Sequence, residues 1–182
     1  EDWIVSDVSN FNSMFYNCSI FNQDIGVWDL SSGAIDMSGM FWKCLTFNQN
    51  LNAWDVSNVT NMTSMFEIAQ AFNGDIRDWN VSNVTNMTSM FEAATSFNVD
   101  ISGWNVSNVI DMTSMFQQAT GFNRDLNNWN VSNVTDMTSM FRFAGPFNGN
   151  ITSWNVSSVT GMRNMFEGAV NFNQDLSGWD TG

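Results

Sequence analysis

WNVSNVTNMTSMFEAATSFNVDISG, residues 79–103, is the unit from which the whole chain is built. Its tryptophan returns at Trp104, Trp129, Trp154 and Trp179, 25 residues apart each time. Upstream the same register holds at Trp54, Trp28 and Trp3, with one extra residue near Gly33 between Trp28 and Trp54. A period of this length marks an architecture in which each unit is one supersecondary element that buries its apolar face by stacking on its neighbours. The expectation is a single repeat domain over 1–182, of about seven coils, with a divergent and cap-like stretch over about 1–53.

Two periods run through the unit. In Ile76-x-x-Trp79-x-Val81 the apolar residues alternate with Asn80 and Ser82, as a short strand requires. Met87, Met90, Phe91 and Ala94 then stand at i, i+3, i+4 and i+7, the stripe of about two helical turns. Asn86, with its equivalents Asn61, Asp111 and Asp136, is of the type that caps a helix start. A Phe-Asn pair, Phe97-Asn98 in this unit, closes the return segment of all seven units. The fold expected is an α/β solenoid: a right-handed superhelix whose coils each hold a short parallel strand and a short helix.

The spacing I-x-x-W-x-V-x-x-V overlays the leucine-rich-repeat signature, with tryptophan in a leucine place. The whole unit, W-[DN]-V-S-N-V-T-[DN]-M-x-x-M-F-x-x-A-x-x-F-N-x-D-I, resembles the BspA-like leucine-rich-repeat family of microbial surface proteins, over essentially the entire chain. The resemblance implies an extracellular or cell-surface protein serving adhesion or ligand binding, with a surface glycan or a matrix protein as partner and no catalytic residues. Phe11 in place of a methionine, Leu30 of a valine, and Cys18 and Cys44 of an alanine depart from the pattern in the first two coils.

Composition excludes several functions. Five Lys and Arg stand against 18 Asp and Glu, a formal charge of −13. Lys43, Arg77, Arg124, Arg142 and Arg163 fall in different coils, so no cluster meets nucleic-acid phosphates. No apolar run reaches the ~18 residues of a membrane span. Glu1 is preceded by neither an initiator Met nor a signal segment, so a processed form or an excised piece is expected. With no histidine, Ser-His and Cys-His nucleophiles are absent. The acid pair Asp75 and Asp100 would share one environment, whereas acid–base catalysis needs two. The chain is read as no enzyme.

The tryptophans and the methionines read as core. Asn22, Asn48, Asn73, Asn98, Asn123, Asn148 and Asn173 read as a ladder satisfying neighbouring backbone groups. Asp75, Asp100 and Asp125 are equivalent and consecutive, and like charges at about 5 Å need compensation. Asx-turn amides supply it, or a calcium ion shared between coils. On the outward side, Asp55, Asn80, Asn105, Asn130 and Asn155 follow the tryptophan, and Ser57, Ser82, Ser107, Ser132 and Ser157 come two residues later; Ser31 belongs to the same series. Such a uniform polar ladder holds the sheet in register, or meets a repetitive target such as a polysaccharide, a mineral, ice or another copy of the chain. The pairs Glu92-Ala93, Gln117-Gln118 and Arg142-Phe143 vary and read as solvent-facing. Cys18 and Cys44 share one place in adjacent coils, either as a disulfide or as two thiols. Sequons such as those at Asn58, Asn83 and Asn130 follow from the repeat itself. Both ends cut the repeat without a distinct cap, which points to further repeats, a capping domain, or end-to-end self-assembly.

Overall fold

The computed structural model describes residues 3–30, 33 and 35–181. Ser31 lies outside the described residues. Coils 1 to 7 cover 3–27, 28–53, 54–78, 79–103, 104–128, 129–153 and 154–178, each opening on its tryptophan. Among the described residues there is no helix and no continuous strand. The sheet-like pairings are isolated parallel bridges between neighbouring coils, Asn10↔Asp36, Asp36↔Asn61, Asn61↔Asn86, Asn86↔Asp111, Asp111↔Asp136 and Asp136↔Gly161. The expected α/β solenoid of strand-plus-helix coils is therefore corrected: the coils are stacked runs of tight turns.

Hydrogen bonding in the supposed helix gives the physical reason. In coil 4 the amides of Met87, Ser89, Phe91 and Ala93 donate to the carbonyls of Asp111, Thr113, Met115 and Gln117 in coil 5, at 3.0, 2.8, 2.9 and 2.7 Å. The amides between them turn inward along the chain: Met90, Glu92 and Ala94 donate to the carbonyls of Met87, Ser89 and Phe91, three residues back. A helix would direct these N–H groups to its own carbonyls four residues back and leave none for the neighbouring coil. Here alternate groups bind coil to coil, and the structure propagates through backbone rather than side chains alone.

This arrangement needs left-handed residues. Ser89 and Ala93 have φ of 54° and 53°. They sit at the third place of the turns 87–90 and 91–94, where a type II turn requires a positive φ. The same two places are left-handed in the other coils, at Ser13, Gly39, Ser64, Ser114, Ser139 and Asn164, and at Asn17, Lys43, Ile68, Gln118, Phe143 and Gly168. Each non-glycine residue there costs about 1–2 kcal/mol, which the inter-coil ladder offsets.

The apolar stripe survives without its helix. Met87, Met90, Phe91 and Ala94 are all fully buried, because the successive turns bring those four places inward. Trp79 and Val81 are buried with Asn80 exposed between them, so the alternation also survives without a strand. The rings form columns. Phe91 stacks on Phe116 with centroids 5.7 Å apart, Phe97 on Phe122 at 5.8 Å, and Trp79 on Trp104 at 6.2 Å. Within a coil Phe91 lies 3.9 Å from Phe97.

Side chains bridge the coils away from the turn ladder. The Trp79 Nε1–H donates at 2.8 Å to the carbonyl of Leu51, three residues before the stacked Trp54, and Trp54, Trp104, Trp129, Trp154 and Trp179 repeat the bond to Ile25, Ile76, Ile101, Leu126 and Ile151. The asparagine ladder is equally regular: Oδ1 of Asn48, Asn73, Asn98, Asn123 and Asn148 accepts the backbone N–H of the next asparagine in the series. The outer coils are more open. Trp3 is 59% exposed beside exposed Ile4 and Val27, around a cavity of about 670 Å³ floored by Phe15, Phe21 and Trp28.

Candidate functional surface

The outward ladder is anchored mainly to itself. The Oδ1 atoms of Asp55, Asn80, Asn105, Asn130 and Asn155 accept the backbone N–H of Ser57, Ser82, Ser107, Ser132 and Ser157 at 3.0–3.2 Å, closing one Asx turn per coil. The Asp55 carboxyl is held below the usual range by the Ser57 hydroxyl and amide. The five Asx residues are exposed, while Ser57, Ser82, Ser107 and Ser132 are half-buried and Ser157 is exposed. Aligned coil by coil, they form a polar row.

A second row was not singled out from sequence. Asn83, Thr85, Asn108, Ile110, Asn133 and Thr135 line a shallow groove of about 580 Å³ along coils 4 to 6. Its amides share one orientation: Nδ2 of Asn83, Asn108 and Asn133 donates to the carbonyl of Ser57, Ser82 and Ser107, each at 2.7 Å. The hydroxyls of Thr85 and Thr135 donate to the carbonyls of Thr60 and Ile110 in the coil before. With one N–H of each amide tied to backbone, the amides are fixed in orientation and their Oδ1 atoms form a row of acceptors. The available signal was the exposed place between Val81 and Val84, concealed by its reading as a sequon.

The three equivalent aspartates, for which Asx-turn amides or a shared calcium ion were the alternatives, have different partners. Asp75 pairs with Arg77, Nε to Oδ1 2.9 Å. Oδ1 of Asp100 accepts the Ser102 amide, and Ser102 holds its carboxyl below the usual range, with the Arg124 charge assisting. Oδ1 of Asp125 accepts the Asn150 amide of the next coil at 2.8 Å, not an amide of its own turn. Asp100 and Asp125 share one polar depression, whereas Asp75 does not line it. Among the described residues no three Asp, Glu, Cys or His side chains form a metal-binding group. Cys18 and Cys44 are free thiols, Cys18 exposed and Cys44 buried. The Cys44 Sγ–H donates to the Phe15 carbonyl at 3.0 Å, and burial, with Cys18 adding to it, pushes its pKa up to about 12.

The irregular surface is the column Tyr16, Trp42, Glu67, Glu92, Gln117, Arg142 and Glu167. Tyr16 and Trp42 lie 4.7 Å apart with Lys43 Nζ above both rings, and Arg142 pairs with Glu167 at 2.8 Å. Burial raises the Glu67 pKa, partly countered by the Ser64 hydrogen bond and reinforced by the Glu92 charge.

A continuous aromatic core inside tandem turn-built coils, with polar rows outside, defines a repeat protein. No helix among the described residues is long and apolar enough to cross a membrane. Three overlapping segments, residues 1–104, 35–148 and 114–182, match the family described as Mycoplasma protein of unknown function, DUF285, and the chain belongs to that family. No curated protein matches it.

Proposed function

We propose that this chain is a non-enzymatic binding module of an extracellular or cell-surface protein, serving adhesion by holding an extended, hydroxyl-rich partner along its polar rows. The observation that carries the reading is the identical anchoring of Asn83, Asn108 and Asn133, whose amides are fixed in one orientation by equal 2.7 Å bonds. A preorganised row loses little side-chain entropy when a repetitive ligand docks. The exposed Asp55, Asn80, Asn105, Asn130 and Asn155 add a second row of the same period. The likeness to BspA-like surface proteins supports adhesion, with a surface glycan or matrix protein as partner.

A glycan and matrix-protein array tests this reading, with Asn108→Lys and Asn133→Lys as the blocking variants. Binding by the wild type that both variants lose, at unchanged stability, is the expected result; binding unaffected by them refutes the use of this row. Running the array with and without calcium tests the cation reading of Asp75, Asp100 and Asp125.

A second reading is assembly end to end with further units of the same kind. The amides of Met162, Asn164, Phe166 and Gly168 occupy the places that donate to a following coil elsewhere, and the carbonyls of Asn10, Asn12, Met14 and Tyr16 occupy the places that accept from a preceding one. A unit of the same kind fits either end, whether a further repeat or another copy. Light scattering across a concentration series tests the latter, and a constant monomer mass refutes it.

A further inference from the structure

The depression that holds Asp100 and Asp125 differs from the equivalent surface of coils 2 and 3. It measures about 550 Å³ and lies between the return segments of coils 4, 5 and 6. In coils 2 and 3 the equivalent surface is closed by its own side chains: Asn52 Nδ2 donates to Asp78 Oδ2 at 2.7 Å, and Asp75 is occupied by Arg77. In coils 5 and 6 both closures are missing. Ser153 replaces Asp78 and turns its hydroxyl to the Asn127 carbonyl, while Asn127 replaces Arg77. Asn127 Oδ1 still accepts the Ser153 amide, as Asn52 Oδ1 accepts that of Asp78, so the side chain keeps its orientation and its Nδ2 is left open.

The remaining groups follow the same pattern. Oδ1 of Asn123 accepts the Asn148 amide, and Oδ1 of Asn150 accepts the Thr152 amide and hydroxyl, so each presents an open Nδ2. Arg124 is tied through Nε to the Asn98 carbonyl at 2.8 Å, leaving its terminal nitrogens open. Asp125 is held by one oxygen and presents the other. The depression thus offers oriented amide donors beside carboxylate acceptors, and such groups, already fixed by backbone bonds, meet a ligand without first losing freedom. Two carboxylates against one guanidinium make it net negative, in a chain of −13. Anionic ligands are therefore disfavoured.

We infer that the depression around Asp125, Asn127 and Asn150 is a saccharide subsite, taking a neutral or amino-bearing sugar whose hydroxyls both donate to the carboxylates and accept from the amides. The inference rests on the reading of the chain as a glycan-binding module, and it adds a contact at this depression to the one along the Asn83–Asn133 row.

The test is calorimetric titration with cellohexaose, a glucosamine hexamer and a galacturonate hexamer. Asn127→Asp and Asp125→Asn each keep the anchoring Oδ1 and change the open atom, and Ser153→Asp restores the closure seen at Asp78. Each is expected to weaken binding of the neutral or amino sugar about tenfold or more, the loss of a hydrogen bond to a charged group, with an unchanged melting temperature. Wild-type binding of neither sugar, binding of the galacturonate alone, or equal affinity in the three variants overturns the assignment. Sugar binding that Asn108→Lys abolishes and Ser153→Asp leaves intact overturns this subsite alone and leaves the module reading standing.

Discussion

Two neighbouring alanines separate the turn architecture from the helix that their spacing suggests. Ala93 has φ 53° and is half-exposed, while Ala94 is fully buried outside the left-handed region. In a helix both lie in the interior, and either change to glycine costs about 1 kcal/mol. In the observed turns the signs differ. A left-handed alanine carries about 1–2 kcal/mol of strain, which Ala93→Gly removes, against about 0.5–1 kcal/mol for the extra freedom of glycine in the unfolded chain. The amide that donates to Gln117 is retained, so Ala93→Gly is expected to stabilise by about 0.5–1 kcal/mol. Ala94→Gly relieves nothing, removes a buried methyl group and destabilises by about 1–2 kcal/mol. Urea midpoints at constant slope read both values. Destabilisation by both substitutions would refute the type II turn at 91–94 and restore the helix.

Trp104→Phe keeps a ring in the core but leaves the Ile76 carbonyl without the indole donor, and is expected to cost about 1–3 kcal/mol, read by the same denaturation; a neutral result would show that the indole bond contributes nothing. Glu67 has a pKa raised by burial, so its folded state favours the proton: stability from this group is present below the ordinary glutamate range and is lost as pH rises through the raised value. Glu67→Gln is therefore expected to stabilise at neutral pH, with the advantage vanishing as pH falls into the ordinary glutamate range; a gain that does not vary with pH contradicts the assignment. Iodoacetamide at neutral pH is expected to label exposed Cys18 and spare buried Cys44 until urea unfolds the chain, as intact mass will show. Rapid double labelling of the folded protein would mean that coil 2 opens.

The inward residues were legible because burial depends only on which places recur as apolar. Met87, Met90, Phe91 and Ala94 were correctly placed in the core, but a stripe at i, i+3, i+4 and i+7 does not distinguish a helix from successive type II turns that bring the same places inward. The discriminating signal lay in the columns between them. Gly39 stands where the other coils have serine or asparagine, and Gly168 where they have Ile68, Ala93 or Gln118. Glycine and asparagine recurring at two fixed places in a supposed helix mark a positive φ, yet one glycine and one asparagine in each column show little when the others include Ser89 and Ala93. The indole bonds were hidden differently: an invariant tryptophan reads as bulk, and the use of its one donor depends on where a carbonyl 28 residues back, Leu51 for Trp79, lies.

For the surface, uniformity was a weaker guide than it looked. The asparagines after each tryptophan recur because each closes its own Asx turn, so their regularity has a local cause. Ser153 is uninformative in composition and conspicuous in structure, because the place it fills is occupied in coil 3 by Asp78, the acceptor for Asn52. A repeated residue answers a demand made once in every coil, and the commonest such demand is backbone satisfaction. A ligand contact confined to one stretch of the array makes no such recurring demand. Asp78 and Arg77 each occur once at their places, so the closure in coils 2 and 3 and the open groups of Asn127 and Asp125 are local features of this second kind, and the Oδ1 bond that orients Asn52 and Asn127 is the same in both. Binding at that depression can therefore change in evolution without altering the coil that supports it.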